Sequence, residues 1–233
     1  MYVISPLLKK AFECFPKTLY LPILFGKMRG NYWIPKSANP AQVIGRYELE
    51  HEAMLVELLN SSSVFWDVGS HVGWYSLMAS KEISGKIYSF EPNPENFDYL
   101  QEHIKINNSS NVKLVNKALS DSNGESYFSG ENQQGSLSAI GTYKVQTITA
   151  DEFIKQEGII PDLIKVDIEG AETKFLNGAK KLLTDHSPKL LLSAHGYKKR
   201  DECVAILTEL GFKINHLVSN TQDGDYVFSA IKN

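Results

Sequence analysis

The stretch VFWDVGSHVGWYS, residues 64–76, joins an apolar run to a helical pattern through a turn that holds two glycines. Asp67 lies near the end of the apolar run, and Gly69 and Gly73 follow it. Glycine permits a tight turn and the close approach of a helix, because it has no Cβ atom. The stretch therefore predicts a strand, a glycine turn and a helix, which is how a βαβ unit begins.

The same alternation of short β-rich runs and helical patterns continues after this stretch. The predicted strands are 64–68, 86–90, 112–119, 144–149, 162–168 and 189–195, and the predicted helices are 73–82, 94–107, 151–156, about 171–183 and one ending at Gly211. Strands alternating with helices predict an α/β fold whose sheet is mostly parallel, with helices on both faces. The last two runs, 212–218 and 225–231, are close in sequence around Gln222-Asp223-Gly224 and are expected to pair as an antiparallel hairpin.

Two segments do not follow this alternation of strands and helices. Residues 121–141 are rich in Gly, Ser, Asn and Gln, which predicts a hairpin or a long loop. Residues 1–60 form an N-terminal segment that is partly helical, from about Glu48 to Leu59, and we expect it to cap the sheet. The predicted organisation is therefore a cap segment, 1–60, followed by one domain, 61–233.

Composition narrows the class of protein. The 233 residues are 42% hydrophobic and 22% charged, which suits one large α/β domain. A net charge of -3 gives no overall attraction to nucleic acid or to an anionic membrane. Two distant cysteines, Cys14 and Cys203, indicate a reducing compartment such as the cytoplasm. The apolar start is interrupted by Pro16, Lys17 and Pro22, so we expect neither a signal peptide nor a transmembrane helix.

Polar side chains recur where the predicted parallel strands end. Asp67, Glu91, Asn116–Leu119, Asp167 and His195 close the predicted strands 64–68, 86–90, 112–119, 162–168 and 189–195. In an open α/β sheet, ligands bind outside the carboxyl ends of the strands. These residues are therefore expected to line one site.

Glu91 indicates the type of ligand. A carboxylate at the end of the second strand can accept hydrogen bonds from both hydroxyls of a ribose. The dinucleotide fingerprint G-x-G-x-x-G is absent, since the turn reads Gly69-Ser70-His71-Val72-Gly73. A nucleoside-type cofactor is expected, and the nicotinamide alternative is disfavoured.

Four motifs, DVGSHVGWYS, SFEPNP, NKALSD and TITADEFIKQEGIIPDLIKVDIEGAETKFLNGA, resemble the FkbM family of S-adenosylmethionine-dependent methyltransferases. The resemblance covers about Gly45 to His195. It implies a class I methyltransferase (Rossmann-like) fold of seven strands with an antiparallel final hairpin. It also implies O-methylation of hydroxyls on sugars or polyketide-type products, as in polysaccharide biosynthesis. The position of His71 usually carries a small polar residue in such loops, which puts only local contacts in doubt.

The resemblance also implies roles for individual residues. Asp67, Gly69 and Gly73 are expected at the methionine end of the cofactor, Glu91 at the ribose, Ala118 and Leu119 at the adenine, and Asp167 beside the sulfonium and the acceptor. Three further residues expected to bind the cofactor are Ser70, Tyr75 and Pro92. An alcohol is a poor nucleophile, so a base should take its proton as the methyl group is transferred. His195, with an intrinsic pKa near about 6.5, is the candidate base, and Asp167 and Glu169 complete the predicted catalytic set.

Simpler interpretations of these residues stay open. His195 can end a buried strand, and Glu169 and Glu172 can favour the positive end of the following helix. Lys165 shares a strand face with Asp167, which suits an ion pair as well as catalysis. Asp167, Glu169 and His195 can also be considered as metal ligands, but no dense carboxylate cluster is visible, so no metal is expected.

Other functions are also considered. N-methylation of an amino sugar or peptide needs no strong base, and a nicotinamide oxidoreductase or a non-catalytic binding module are further alternatives. Methylation of nucleic acid is disfavoured, because the predicted strand 162–168 ends in KVDIEG rather than an Asn/Asp-Pro-Pro-aromatic element. The expected acceptor is a small molecule or a glycan. The sequence pattern does not indicate the oligomeric state.

Basic residues occur in two places. Those of the first 36 residues are Lys9, Lys10, Lys17, Lys27, Arg29 and Lys36, with Glu13 the one acidic residue among them. With Leu7, Leu8, Phe12 and Phe15 they suit either a solvated cap or contact with a lipid-linked acceptor at a membrane surface. Residues 198–200, Lys-Lys-Arg, follow His195 and suit either solvent or an acidic sugar.

Overall fold

The computed structural model describes residues 12, 14–37, 39–60, 63–129, 136–138, 143–220 and 225–232. The basic residues Lys9 and Lys10, part of the segment 121–141 and the turn around Gln222-Asp223-Gly224 lie outside the described residues. No helix in the described ranges combines the length and the apolar character needed to cross a membrane.

Strands and helices alternate along the described chain. The N-terminal elements are β1 (Leu21–Pro22), β2 (Tyr32–Trp33), a 3-10 turn (Pro35–Ser37), α1 (Pro40–Ile44) and α2 (Leu49–Leu58). The next are β3 (Phe65–Val68), α3 (Trp74–Glu82), β4 (Ile87–Phe90), α4 (Pro94–Ile106) and β5 (Val112–Val115). They are followed by β6 (Ala118–Leu119), β7 (Gly124–Ser129), β8 (Ser136–Ser138), β9 (Tyr143–Ile148) and α5 (Ala150–Glu157). The last are β10 (Leu163–Val166), α6 (Glu172–Gly178), α7 (Lys180–Asp185), β11 (Lys189–His195), α8 (Tyr197–Glu209), β12 (Lys213–Asn220) and β13 (Asp225–Ile231).

The main sheet has seven strands in the order β12-β13-β11-β10-β3-β4-β5. Strands β3, β4, β5, β10 and β11 are parallel, whereas β13 runs antiparallel to both β11 and β12. The predicted mostly parallel sheet with an antiparallel C-terminal hairpin is confirmed. Since β3 lies between β4 and β10, the strand order changes direction there, and a crevice opens at the carboxyl ends of these strands.

Both faces of the sheet are covered, because alternate side chains of each strand point to opposite faces. Trp66 of β3 packs with Phe153 of α5 and Phe175 of α6. Phe65 belongs to the other core, together with Leu77 of α3 and Trp33 of the N-terminal segment. Helices α5–α8 thus cover one face, and α2–α4 with the N-terminal segment cover the other.

His103 of α4 connects the N-terminal segment to the turn after β3. Its Nε2 atom accepts the backbone N–H of Ile34 at 3.0 Å, and its Nδ1 atom lies 2.7 Å from the carbonyl oxygen of Val72. The imidazole stacks on Trp33 with 3.8 Å between ring centroids. Burial lowers the pKa of His103 to about 4, so the ring is neutral and supplies one donor and one acceptor.

Two predicted elements are interrupted. The run 112–119, predicted as one strand, is divided at residues 116 and 117, where the Asn116 side chain donates to the Glu91 carbonyl oxygen at 2.8 Å. After this turn β6 leaves the main sheet and pairs parallel with β9 in a second sheet of order β6-β9-β7-β8. Strands β7 and β8 pair antiparallel and form the hairpin expected within 121–141.

The helix predicted over about 171–183 is divided into α6 and α7 at Ala179. Gly178 ends α6 against the connection that follows β6. A Cβ atom at Gly178 would lie 1.9 Å from the carbonyl oxygen of Ser120. Since only a glycine fits this approach, the contact explains why a residue unfavourable in a helix interior lies at the division.

Candidate active site

A cleft opens at the carboxyl ends of β3, β4 and β10, bounded by β6 and by the start of α2. The empty volume of the cleft, including open solvent at its mouth, is about 970 Å³. The predicted site residues that line it are Gly69, Ser70, Tyr75, Glu91, Pro92, Ala118, Leu119, Asp167 and Glu169. Most of the predicted residues are therefore brought together, although they come from separate parts of the chain. Asp67, Gly73 and His195 are not in the lining; His195 contacts two residues that are, Asp167 and Glu169.

The turn after β3 requires glycine at two positions, for different reasons. Gly69 has φ +82°, and a Cβ atom there would lie 1.9 Å from the carbonyl oxygen of Asp167. Gly73 has φ +97°, and its Cβ would meet the Leu100 side chain of α4 at 2.7 Å. Gly69 thus lets the ends of β3 and β10 touch beneath the cleft, whereas Gly73 lets α3 pack on α4 and does not line the cleft.

The backbone N–H groups of this turn bind the protein itself. Those of Gly69 and Ser70 donate to the Phe90 carbonyl oxygen at 3.0 Å, and that of His71 donates to Oε2 of Glu91 at 2.8 Å. Of these N–H groups, that of His71 thus faces a carboxylate. The Ser70 hydroxyl is buried and makes no hydrogen bond to the described residues, so its O–H is an available hydrogen-bond donor in the cleft.

Glu91 is a buried carboxylate at the wall of the cleft, only 4% exposed. Besides the His71 N–H on Oε2, its Oε1 atom accepts the backbone N–H of Asn93 at 2.9 Å. Burial raises the pKa of Glu91 to about 7. The Asn96 side-chain amide also donates to Oε1, at 3.4 Å. A carboxylate has about four acceptor sites, so Oε2 keeps one for a ligand hydroxyl, and a second hydroxyl would bind in place of the long Asn96 contact.

Asp67 lies behind the wall of the cleft instead of lining it. Its Oδ2 atom accepts the Ser76 hydroxyl at 2.6 Å, and its Oδ1 atom is buried with no hydrogen bond to the described residues. Burial raises the pKa of Asp67, although the charge of Lys165 acts in the opposite direction. The carboxylate therefore supports α3 beneath the turn.

Lys165 and Asp167 form a buried ion pair on the floor of the cleft. The Lys165 Nζ atom lies 3.1 Å from Oδ2 of Asp167 and 4.4 Å from the centre of the Tyr75 ring. Although burial disfavours both charges, the pKa of Lys165 is raised by Asp167 and Asp67, and the pKa of Asp167 is held well below its usual range by Lys165 and His195. Both groups are ionised, so Lys165 has the ion-pair geometry that its place on the strand predicts.

His195 ends β11 beside Asp167, with Nε2 at 3.1 Å from Oδ1. Its Nδ1 atom lies 3.9 Å from Oε2 of Glu169, a residue with φ +50° that lines the cleft. The hydrogen bond to Asp167 raises the pKa of His195 to about 9. The intrinsic value near about 6.5, on which the base assignment rests, therefore does not apply in this environment, and the imidazole is protonated at neutral pH.

Two residues of the N-terminal segment line the cleft without having been singled out from the sequence. They are Tyr47 and Glu48, directly before α2. Glu48 has φ +43°, accepts a hydrogen bond from the Tyr75 hydroxyl and lies 3.3 Å from Nδ1 of His51. The only signal in the sequence was an acidic residue at the start of a predicted helix, which is common in helices generally.

Aromatic and apolar side chains also line the cleft. They are Phe90, Pro92, Ala118, Leu119, Phe128 and Ile168. A planar ring can bind between such side chains while polar groups at either end fix its orientation. Among the described residues, no three His, Cys, Asp or Glu side chains form a group that could hold a metal ion.

Comparison with known proteins identifies the family. The model of the methyltransferase FkbM domain matches residues 67–217. Hexuronic acid methyltransferase AglP from Haloferax volcanii is 32% identical over 130 residues, which are 54% of this chain and 53% of that protein, so the match spans about half the length of this relative.

Solved structures show the same fold at lower identity. Methyltransferase FkbM from Methylobacillus flagellatus gives a TM-score of 0.56 at 19% identity, over 75% of this chain and 45% of that one. Precorrin-6y C5,15-methyltransferase from Geobacter metallireducens gives 0.57 at 18% identity, over 84% and 94%. These likenesses confirm the predicted class I methyltransferase fold. Because the family match covers more than half of the sequence, this chain belongs to the FkbM family of methyltransferases.

Proposed function

We propose that this protein transfers a methyl group from S-adenosylmethionine to a hydroxyl of a sugar in a glycan, a glycolipid or a glycosylated natural product. The observation that carries the proposal is the arrangement within one cleft. Glu91 follows β4 on one side of β3, Asp167 follows β10 on the other side, and the turn at Gly69 lies between them; Asp167 is paired with His195. A cofactor end and an acid–base end in one cleft suit transfer between two bound substrates.

The cofactor end fits a nucleoside that carries a polar tail. Glu91 would accept the two ribose hydroxyls, and Ala118 and Leu119 would contact the adenine. The unpartnered Ser70 hydroxyl would bind a polar group of the methionine part, beside the close backbone approach at Gly69. Bound S-adenosylmethionine supplies a methyl group made electrophilic by a positively charged sulfur, so the protein needs mainly to align and deprotonate the acceptor.

The other residues predicted to bind the cofactor differ in whether they line the cleft. Pro92, Tyr75 and Asp167 line the cleft and keep their proposed contacts. Asp67 and Gly73 do not line it, so we propose that they act by supporting the turn.

His195 is the proposed base, and Asp167 and Glu169 are proposed to orient the imidazole and the acceptor. The hydrogen bond from Nε2 to Asp167 fixes the ring, and the other nitrogen, Nδ1, would take the proton of the acceptor hydroxyl. Because the pKa of His195 is about 9, the competent neutral form increases as the pH rises toward that value. At neutral pH the raised pKa keeps most of His195 protonated, and a protonated imidazole cannot act as a base. This supports N-methylation as a second candidate function, because an unprotonated amine needs no base.

The sugar acceptor is supported by the relative from Haloferax volcanii, whose name describes a hexuronic acid methyltransferase. Residues 1–60 are proposed to be the cap and 61–233 the catalytic domain, with Tyr47 and Glu48 as the contribution of the cap to the cleft. A cytoplasmic location is proposed from the two distant cysteines, and a lipid-linked acceptor from the basic N-terminal segment.

Calorimetric titration with S-adenosylmethionine and S-adenosylhomocysteine tests the cofactor. The wild type should bind both, and Glu91→Ala should lose most of the affinity. Glu209→Ala, at the exposed end of α8, is the matched control and should bind like the wild type. Because Glu91 also holds the turn, thermal unfolding of both variants must show that they are folded. Absence of binding by the wild type would contradict the proposal, and His195→Ala with nearly unchanged turnover would favour N-methylation.

A further inference from the structure

The N-terminal segment exposes large apolar side chains near the end of α1 and in the connection between β1 and β2. Leu24 is 58% exposed, Phe25 52% and Ile44 42%. Leu24 and Phe25 lie in the connection between β1 and β2, and Ile44 ends α1. Single exposed apolar residues are ordinary, so their position relative to one another decides whether they form a surface.

These residues come from two segments that touch. A Cβ atom at Gly45 would lie 2.0 Å from the carbonyl oxygen of Phe25, so the backbones are in direct contact. The Arg46 guanidinium lies 5.8 Å from the centre of the Phe25 ring. The result is one continuous area with apolar side chains and a cation beside them.

Exposed cations surround the apolar side chains. Lys27 and Arg29 follow Phe25 in the same connection, and neither they nor Arg46 form a salt bridge with the described residues. Lys81 of α3 donates to the carbonyl oxygens of Lys27 and Arg29 at 3.0 and 2.9 Å, which fixes the connection and adds a further cation. We call the set Leu24, Phe25, Lys27, Arg29, Ile44 and Arg46 the cap surface.

The cap, residues 1–60, has seven basic and five acidic side chains, and its basic residues predominate in the stretch that carries the cap surface. Residues 14–47 contain five Lys or Arg residues and no Asp or Glu. The chain has 24 basic and 27 acidic residues, so the residues outside 14–47 carry 19 basic and 27 acidic side chains. This polarity would orient the protein with the cap toward a negatively charged surface.

We propose that the cap surface docks on an anionic lipid bilayer. Apolar side chains such as Leu24 and Phe25 can enter the boundary between headgroups and acyl chains, while Lys27, Arg29 and Arg46 bind lipid phosphates. Neither contribution alone gives firm binding, because a few exposed side chains bury little area and surface charges are screened by salt. Their combination on one preformed connection matches the chemistry of such a bilayer.

The position of the cap surface indicates which acceptor the protein methylates, and this part of the inference rests on the proposed methyltransferase function. Tyr47 and Glu48, which line the cleft, follow Arg46 directly in the sequence. Docking through the cap surface would therefore hold the segment that contributes Tyr47 and Glu48 to the cleft at the bilayer surface. The acceptor favoured by this geometry is a sugar attached to a lipid of the same bilayer.

Flotation with vesicles tests the proposal in the full chain. The protein should float with vesicles made of equal parts of phosphatidylcholine and phosphatidylglycerol, much less with phosphatidylcholine alone, and less as salt is added. Leu24→Ser with Phe25→Ser, and Lys27→Gln with Arg29→Gln, should each reduce binding about tenfold or more. All four side chains are exposed, so the variants should fold.

Matched substitutions elsewhere are the controls. Ile160→Ser, at a residue that is 41% exposed before β10, and Lys86→Gln with Lys155→Gln should leave vesicle binding unchanged. Equal losses in the control and cap variants, or no vesicle binding by the wild type, would overturn the proposal. A wild-type dimer that Phe25→Ser converts to a monomer would assign the surface to a second copy instead.

Cofactor titration of the same variants separates the two proposals. Variants that bind S-adenosylmethionine normally but fail to float show the loss of docking alone. A wild type that floats but binds no cofactor would retain the membrane surface and contradict the methyltransferase function.

Discussion

The Nε2 atom of His195 lies 3.1 Å from Oδ1 of Asp167, and the two residues close neighbouring parallel strands, β11 and β10. The other oxygen of the same carboxylate accepts the buried ammonium of Lys165 at 3.1 Å. Asp167 is therefore ionised, and its charge holds the imidazole in the protonated form. This pairing fixes the pH at which His195 can act as a base.

We expect kcat/KM of the wild type to rise with pH up to about 9. The pKa of His195 is raised to about 9, so the neutral imidazole increases about tenfold for each pH unit below that value. His195→Asn should lower kcat by roughly 10²-fold or more and remove this dependence. Turnover is measured from pH 6 to about 10 with saturating cofactor. A wild-type profile that is flat below pH 9 would rule out His195 as the base.

Cofactor affinity should weaken as the pH falls below about 7. Burial raises the pKa of Glu91 to about 7, and only the ionised carboxylate can accept hydrogen bonds from both ribose hydroxyls. The dissociation constant of S-adenosylhomocysteine should rise by up to about tenfold per pH unit on the acidic side. Glu91→Gln, which keeps the shape but does not titrate, should bind more weakly at pH 8 and lose the slope. An equal slope in that variant would assign the dependence to another group.

Gly69→Ala should be far more damaging than Gly158→Ala. Both glycines have positive φ, +82° and +67°, which costs an alanine about 1–2 kcal/mol. Only at Gly69 would the new Cβ meet backbone, 1.9 Å from the Asp167 carbonyl oxygen, whereas no atom lies within 4 Å at Gly158. Denaturant unfolding and cofactor titration compare the two variants. Similar losses of stability and cofactor affinity in the two variants would show that Gly69 is required for its positive φ and not for its close approach to Asp167.

The His103 connection predicts loss of stability in acid. Burial lowers the pKa of His103 to about 4, below the unfolded value of about 6.5, so the stability it contributes is complete above pH 6.5 and is lost as the pH falls through 4. The free energy of unfolding should decrease by about 3 kcal/mol over this window because of this group. His103→Gln should be less stable at pH 7 and should lack this part of the slope.

Exposed His186 provides the control for this measurement. His186→Gln should retain the wild-type dependence in urea unfolding from pH 7 to 4. If His103→Gln also retains it, the acid sensitivity arises from other groups.

The order of elements could be predicted because each depends on residues near in sequence. Alternating apolar runs and helical patterns gave the strands of the main sheet, and the short separation before β13 gave the antiparallel hairpin. The two interruptions, at Asn116 and at Ala179, depend on contacts with Glu91 and Ser120, far away in sequence. The sequence pattern around each interruption cannot predict contacts with such distant residues.

The same distinction applies to the site. Strand ends gather at one edge of a parallel sheet, so the sequence by itself placed Glu91, Asp167 and His195 near one another. Only the tertiary structure decided that Asp67 supports α3, that Glu48 of the cap reaches the cleft, and that the pKa of His195 is about 9. Periodicity fixes which face of a strand a residue occupies, whereas burial and the charges around a side chain depend on segments that meet only in the folded chain.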